Sequence, residues 1–353
     1  MLQQWLAAPH PSPRQVSVLI LVPTRELASQ VSRTLDQLAR TLPGNVKILP
    51  LFGGVSINPQ MMDLRGGADI VVATPGRLLD LCTRNALQLF SVKTLVLDEA
   101  DRLLDLGFAE EISRIITLLP NPRQTLLFSA TFPTEVQSLA EQQLREPQRI
   151  MLAATDSDRP AIVQRAIHVD ETQRGDLLLT LIRDEGWTQV LVFVATHRMA
   201  DQLAKLLNQA NIPAAPFHGE LSQGRRSQAL AAFKEGSLQV LLATDVAARG
   251  IDIVQLPTVI NYNLPRSAVD YQHRIGRTGR AGASGLAISF VTPISEAHFR
   301  LIEKRQQQRL VREQIAGFEV QPAAILTTNT GAGGIKGKRK SKKDKLREAG
   351  KSD

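Results

Sequence analysis

The chain is nearly devoid of cysteine. Cys82 stands alone among 353 residues, which excludes an internal disulfide framework and any zinc site built from several thiolates. Long apolar runs are missing as well: none approaches the roughly 20 residues that a bilayer-spanning helix needs. Met1 to Pro13 mixes polar and apolar residues with three prolines, without the basic-then-apolar order of a secretory leader. Short-period repeats are absent. These absences point to a cytoplasmic protein.

What is present suits roughly two domains, each long enough for its own core. Apolar residues make up 43% and charged residues 22%, ordinary for a globular chain. The net charge of +8 is unevenly placed. Residues 321–353 hold nine Lys/Arg against three Asp/Glu, whereas everything before them is nearly balanced. Gly331 to Gly334 is glycine-rich, and Lys336 to Lys351 has almost no large apolar residue. Such a composition cannot bury enough surface to fold alone. A disordered basic C-terminal tail is expected, suited to phosphate neutralisation on RNA or DNA or to solubilising the chain.

Between the termini, short apolar runs alternate with amphipathic stretches. Strands are expected at Val16–Val22, Val46–Phe52, Ala68–Ala73, Val92–Leu97, Gln124–Phe128 and Arg149–Leu152. Helices are expected at Thr24–Leu42, up to Leu64, at Pro75–Cys82, Glu110–Leu119 and Pro133–Leu144. After a polar stretch the alternation restarts, with strands at Ala166–Val169, Gln189–Val194, Ala214–Phe217, Leu238–Ala243, Thr258–Tyr262 and Gly285–Val291. Helices at Arg174–Asp184 and His197–Ala210, and a long one from Ser295 to about Gln314, belong to this second half. Alternating strands and helices imply an α/β class with mostly parallel, helix-covered sheets. The expected division is 1–152, a linker 153–162, a second unit 163–320, and the tail 321–353.

Chemistry-bearing residues cluster where strands end. The run to Leu97 stops in Asp98-Glu99-Ala100-Asp101, three carboxylates within four residues. Ligands of open α/β sheets gather outside the carboxyl ends of strands, and acids held there suit water-mediated metal binding and water activation. The same placement also suits a strand passing into an acid-capped helix. Thr24-Arg25 and Thr74-Pro75-Gly76-Arg77 each open a helix after a strand, offering hydroxyl, free amides and guanidinium to phosphate, or simply capping those helices. Gly53-Gly54 lets backbone approach a ligand, or merely turns. Ser129-Ala130-Thr131 carries two hydroxyls able to bond Asp98 or Asp101, or to cap the next helix.

In the second unit, His218-Gly219 ends a strand and Gln223, Arg225 and Arg226 begin a helix. Thr244-Asp245 and Arg249-Gly250-Ile251-Asp252 crowd charge and glycine behind another strand. His273-Arg274-Ile275-Gly276-Arg277-Thr278-Gly279-Arg280 packs three arginines and a histidine among glycines, a composition that a purely structural helix does not favour. Guanidinium groups suit a polyphosphate whose charge grows in the transition state.

Seven of these motifs, taken in order, resemble the DEAD-box ATP-dependent RNA helicases of bacterial type. They are PTRELA (23–28), TPGR (74–77), DEAD (98–101), SAT (129–131), VFVAT (192–196), TDVAARGID (244–252) and HRIGRTGR (273–280). The resemblance runs from Pro23 to about Phe318. It implies two tandem RecA-like parallel-sheet domains, ATP and Mg²⁺ in the cleft between them, and RNA across both. On that resemblance Asp98 would hold Mg²⁺ through water and Glu99 would orient or deprotonate the attacking water. Arg277 and Arg280 would reach the γ-phosphate. Asp252 would take the ribose, with Gly250, His273 and Asp101 also at the nucleotide, and Asp101, Ser129 and Thr131 would couple nucleotide state to RNA. Thr24, Arg25, Gly53, Gly54, Thr74, Arg77, Gly219, Gln223, Arg226 and Thr244 would line the RNA path. The implied activity is ATP-driven separation of short RNA duplexes or remodelling of RNA–protein complexes.

One departure stands out. The family carries an adenine-reading segment and a phosphate loop before PTRELA, yet no G-x-x-x-x-G-K-[ST] occurs in the sequence, and Gly337-Lys338 is followed by Arg339. The expectation is an N-terminally truncated chain whose first domain is incomplete, lacks a central strand and leaves unpaired edges. In that form it would be deficient in ATP binding, and the alternative is an ATP-independent RNA-binding or annealing protein. Met1 to Leu6 would be the last turn of the helix that follows the missing loop.

Overall fold

A computed structural model describes residues 2–7, 12–151, 162–248, 256–279 and 284–320. The basic tail, Gly250, Asp252, Arg280 and most of the expected linker lie outside the described residues.

The first unit is a five-stranded, wholly parallel sheet in the order β2-β3-β1-β4-β5. The strands are β1 (Val18–Leu21), β2 (Ile48–Leu51), β3 (Ile70–Ala73), β4 (Thr94–Leu97) and β5 (Gln124–Leu127). Between them run α2 (Arg25–Ala39), α3 (Ile57–Asp63), α4 (Pro75–Thr83), α5 (Ala100–Asp105) and α6 (Ala109–Thr117), with α7 (Thr134–Gln143) after β5 and a short α1 (Leu2–Leu6) before β1. The inner strands β1, β3 and β4 are buried throughout, as their unbroken apolar runs require when helices cover both faces. One apolar cluster on each face closes this core.

No gap interrupts this sheet: β1 pairs in register with β3 and β4, and β4 with β5. The five strands present are thus contiguous, and the sheet ends on β5, whose outer side pairs with no further strand among the described residues. The partly exposed edge is β5, bordered by a groove of about 750 Å³ whose far wall includes Ile150. The expected strand at Arg149–Leu152 does not form over its described residues, 149–151. Its residues stand across the groove from β5 and so lack a ladder to join, leaving Ile150 and Met151 exposed. A short helix, α5, precedes the expected one, and Gly107, at φ +84°, separates it from α6.

The second unit is a seven-stranded sheet in the order β12-β6-β11-β10-β7-β9-β8. It comprises β6 (Ile162–His168), β7 (Val190–Phe193), β8 (Ala214–Phe217), β9 (Val240–Ala243), β10 (Thr258–Asn261), β11 (Gly285–Val291) and β12 (Arg312–Glu313). The helices used below are α8 (Arg174–Asp184), α9 (His197–Gln209), α10 (Gln223–Lys234), α11 (Asp245–Ala248), α12 (Ala268–Ile275) and α13 (Glu296–Gln306). All pairings are parallel. The long helix expected to Gln314 stops at Gln306, where Gln307 adopts φ +55°. Arg312 then turns back onto α13, pairing with Glu296 at 3.0 Å and Glu303 at 2.8 Å, and β12 joins the sheet edge beside β6.

Parallel strands put all their carboxyl ends on one edge of a sheet. The turns at Thr24, Gly53, Thr74, Asp98 and Ser129 therefore share one rim of the first unit, and those at His218 and Thr244 one rim of the second. Among the described residues no apolar cluster spans both units, and the contacts detailed below that join them are polar.

Candidate active site in the cleft between the two units

The centre is the turn from β4 into α5. Glu99 takes a left-handed backbone, φ +49°, a conformation that costs a non-glycine residue free energy and recurs at functional turns. Asp98 Oδ1 accepts the Glu99 N–H at 3.0 Å, and burial raises the Asp98 pKa. Burial and then the neighbouring Asp98 raise that of Glu99, while Arg277 and Arg102 oppose the rise. Arg277 of the second unit thus acts electrostatically on Glu99 of the first.

Asp101 is buried and fully engaged. Its Oδ2 accepts the Thr131 hydroxyl at 2.6 Å and the Thr131 N–H at 3.1 Å, and its Oδ1 accepts the Arg102 N–H at 3.1 Å. Ser129 Oγ accepts the Asp101 N–H at 3.2 Å and donates to Thr131 O at 2.6 Å. The acid-rich turn and the Ser129–Thr131 turn are one hydrogen-bonded unit, so neither can shift without the other. This bonding ties Asp101 to Ser129 and Thr131, whereas among the described residues Asp98 and Glu99 make no such bonds to that turn.

The first-unit residues expected to line the RNA path sit along one rim of its sheet. Thr24 caps α2, its Oγ1 accepting the Leu27 N–H at 3.2 Å. Thr74 makes no such cap; its Oγ1 accepts the Gly53 N–H at 3.4 Å instead. Arg77 donates Nη2 to Val55 O at 2.6 Å, while its buried Nε and Nη1 find no hydrogen-bond partner among the described residues. Burial lowers its pKa, helped by the like charge of Arg25. A buried guanidinium with unpaired donors is costly, and an anion on this rim would relieve it. Gly54 lies at φ +73°, where a Cβ would fall 2.3 Å from the Arg25 guanidinium.

On the opposite wall, Gly219 is exposed and Thr244 half-buried, its carbonyl accepting the Ala248 N–H at 2.9 Å. Gln223 Oε1 accepts from Arg25 at 3.3 Å, and Arg226 forms a 2.8 Å ion pair with Glu26. Both expected RNA contacts thus bridge the two units in this structure. Arg226 is buried over the Phe217 ring, so its charge faces Glu26 and not an open groove.

The arginine-rich motif differs in part from its expected non-helical character. His273, Arg274 and Ile275 form the last turn of α12. Arg274 turns inward, where Asp245 accepts Nε at 2.6 Å and Nη2 at 2.7 Å, and Asn261 Oδ1 and Asn263 O accept Nη1 at 3.0 and 2.6 Å. Its guanidinium also lies 4.8 Å from the Phe193 ring centre. This buried fork holds α12 on the sheet and so aims the segment carrying Arg277. His273 Nδ1 is buried without a hydrogen-bond partner among the described residues. The roles of Arg102, Asp270, Glu26 and Arg274 were not legible in the sequence, although three of them sit inside or beside the motifs.

No group of three or more His, Cys, Asp or Glu among the described residues could hold a metal by itself. The acids fit a Mg²⁺ ion that keeps its waters and leans on a single carboxylate, Asp98, as this cation commonly does when phosphates supply the other ligands.

Two parallel-sheet α/β units thus face each other across a cleft lined by carboxylates and arginines. A DEAD/DEAH box helicase model matches residues 1–139, and a helicase conserved C-terminal domain model matches residues 173–282. The chain is 42% identical over 297 residues to the DEAD-box ATP-dependent RNA helicase CshA of Bacillus cereus, covering 84% of this chain and 56% of that protein. It is 40% identical over 303 residues to CshA of Bacillus subtilis, covering 86% and 61%. Among solved structures, S. cerevisiae Dbp5 bound to RNA and ADP–BeF3 superposes with a TM-score of 0.74 at 31% identity, covering 85% of this chain and 78% of that one. Mss116p bound to ssRNA and AMP-PNP superposes at 0.76 with 26% identity, covering 92% and 68%. The chain belongs to the DEAD-box RNA helicase family, and its two units are RecA-like domains. It spans a little over half the length of the curated relatives it matches.

Proposed function

We propose that the protein is an RNA-dependent ATP hydrolase that separates short RNA duplexes or remodels RNA–protein complexes in the cytoplasm. The observation that carries this reading is the bonded unit of Asp101, Ser129 and Thr131 next to Glu99, with Arg277 acting on Glu99 from the other domain. Such an arrangement makes the nucleotide end of the cleft and its RNA rim move together. Mg²⁺–ATP, when bound, supplies the phosphoryl group to be transferred to water. Asp98 would hold the ion through water, Glu99 would orient and deprotonate the attacking water, and Arg277 with Arg280 would stabilise charge on the γ-phosphate. Asp252 would take the ribose, with Gly250 and His273 at the same nucleotide. Thr24, Arg25, Gly53, Gly54, Thr74, Arg77, Gly219 and Thr244 would follow one RNA strand by its sugar–phosphate backbone, and the Lys-rich tail would add nonspecific contacts.

Residues 1–353 contain no glycine-lysine phosphate loop, so we expect weak ATP binding from this segment alone. The test is RNA-stimulated phosphate release, measured on residues 1–353 and on a chain with a phosphate-loop segment joined ahead of Met1. Turnover that rises with RNA in the second and is lost in Glu99→Gln supports the reading; near-normal hydrolysis by Glu99→Gln overturns it. A second reading is favoured by the missing loop and the basic tail: ATP-independent RNA binding or annealing. It predicts salt-sensitive RNA binding with no hydrolysis in either chain.

A further inference from the structure

The polar contacts between the two domains are not alike. The Glu26–Arg226 pair is a fixed pin: Arg226 has Ser222, Gln223, Ala229 and Leu230 at its helical neighbour positions, so α10 offers it no second carboxylate. Arg102 is different. Its Nη1 lies 2.9 Å from Asp270 Oδ1 of the other domain and 3.2 Å from Asp105 Oδ2, one turn further along its own helix.

We propose that Arg102, Asp105 and Asp270 form a partner-exchange latch that sets how readily the two domains close, and that Arg102 is thereby a positioning residue for the chemistry at Glu99. The positioning role rests on the hydrolase reading above. Exposure orders the two partners. The Arg102 side chain is 7% exposed and Asp270 18%, whereas Asp105 is 54% exposed. Attraction is screened least between the shielded pair, so Asp270 is the stronger partner when the domains are together. When they part, the side of Arg102 now covered by the second domain meets water, and Asp105 remains as its carboxylate partner on the same helix.

Asp270 is prepared for this role. Ser267 Oγ donates to its Oδ2 at 2.8 Å and accepts its N–H at 3.0 Å, a reciprocal cap that holds the carboxylate while its Oδ1 accepts from Arg102 at 2.9 Å. The latch also joins the two segments that matter. Arg102 follows Asp101 directly, and Asp270 stands on the helix that ends just before Arg277. The Arg102 charge also opposes the effect of burial on the Glu99 carboxyl. Closure therefore brings together the water-activating acid, its cation and the arginine in one movement.

The test uses residues 1–353 without nucleotide or RNA, labelled at Thr34→Cys and Lys205→Cys in a Cys82→Ala background, with the closed-to-open ratio read by single-molecule energy transfer. Asp270→Asn and Arg102→Gln should each lower that ratio about tenfold, a size ordinary for coupling across a shielded charge pair. Asp105→Asn should raise it, because only the open form depends on Asp105 alone. The swap Arg102→Asp with Asp270→Arg should restore the ratio relative to either single change. The altered residues lie on different domains, so a folding failure in one leaves the other informative. An unchanged ratio across the set, or Asp105→Asn lowering it as Asp270→Asn does, overturns the latch. A ratio that moves as expected while the loop-restored chain shows no RNA-stimulated turnover supports the latch and overturns the hydrolase reading instead.

Discussion

Replacing Arg274 by lysine keeps the charge and removes the fork. In the native structure the guanidinium serves both oxygens of Asp245, Asn261 Oδ1 and Asn263 O, in a site where the side chain is 3% exposed. An ammonium on a flexible stem reaches one or two of these acceptors. Roughly two charge-assisted bonds are lost, each worth about 1.5–3 kcal/mol before water replaces part of them at the half-exposed Asp245. A net destabilisation of about 2–3 kcal/mol of the second domain is expected. The two tryptophans fall one to each domain, Trp5 and Trp187, so in a Trp5→Phe background Trp187 reports the second domain alone. With a urea slope of about 2 kcal/mol per molar for a domain of this size, the midpoint should fall by about 1–1.5 M. A fall of under about 0.3 M would show that Asp245, Asn261 and Asn263 are satisfied equally well without the fork, and would refute the role given to Arg274 in holding α12.

Glu99→Gln should abolish hydrolysis in the loop-restored chain and yet raise the thermal midpoint of the ligand-free protein at neutral pH. Burial and Asp98 raise the Glu99 pKa, so its charged form is disfavoured on folding. That penalty sets in as pH rises from the unfolded to the folded pKa, and a neutral amide removes it. A scanning-calorimetry midpoint that drops would contradict this. Cys82, whose thiol burial pushes up to about 11, should react with a disulfide reagent at pH 8 about a hundredfold more slowly in the native than in the urea-unfolded chain; equal rates would show that it is exposed. Its contribution to stability should be complete below about pH 8.5 and be lost as pH rises towards its folded value. Arg77→Gln should weaken binding of single-stranded RNA and lower the salt slope by roughly one phosphate's worth, and removal of residues 321–353 should lower it by several. A slope unchanged in both variants, by fluorescence anisotropy over a salt series, would remove these residues from the RNA path.

The local pattern of the chain was legible because the central strands are buried on both faces. Val18–Leu21, Ile70–Ala73 and Thr94–Leu97 stand out as apolar runs, and the threonines and acids at their ends mark where parallel strands deliver their ligands. Edges were less legible. Arg149–Met151 looks like a strand by composition, but a strand needs a ladder partner, and the groove beside β5 separates it from one. Likewise the helix stops at Gln306 although its pattern continues to about Gln314, because the ion pairs that turn Arg312 back are made with residues up to sixteen positions away.

The functional residues divide in the same way. The sequence by itself determined the types and order of the motif residues, since hydroxyls, acids, arginines and glycines at strand ends follow from local chemistry. Which of them face the cleft was decided by the tertiary structure. Asp101 turned out to serve Thr131, Arg274 to serve Asp245, and Arg226 to pin Glu26, while Arg102 found Asp270 across 168 residues of sequence. A guanidinium carries the same charge wherever it stands. Only the packing of one domain against the other fixes whether that charge meets a carboxylate of the chain or is left for a phosphate.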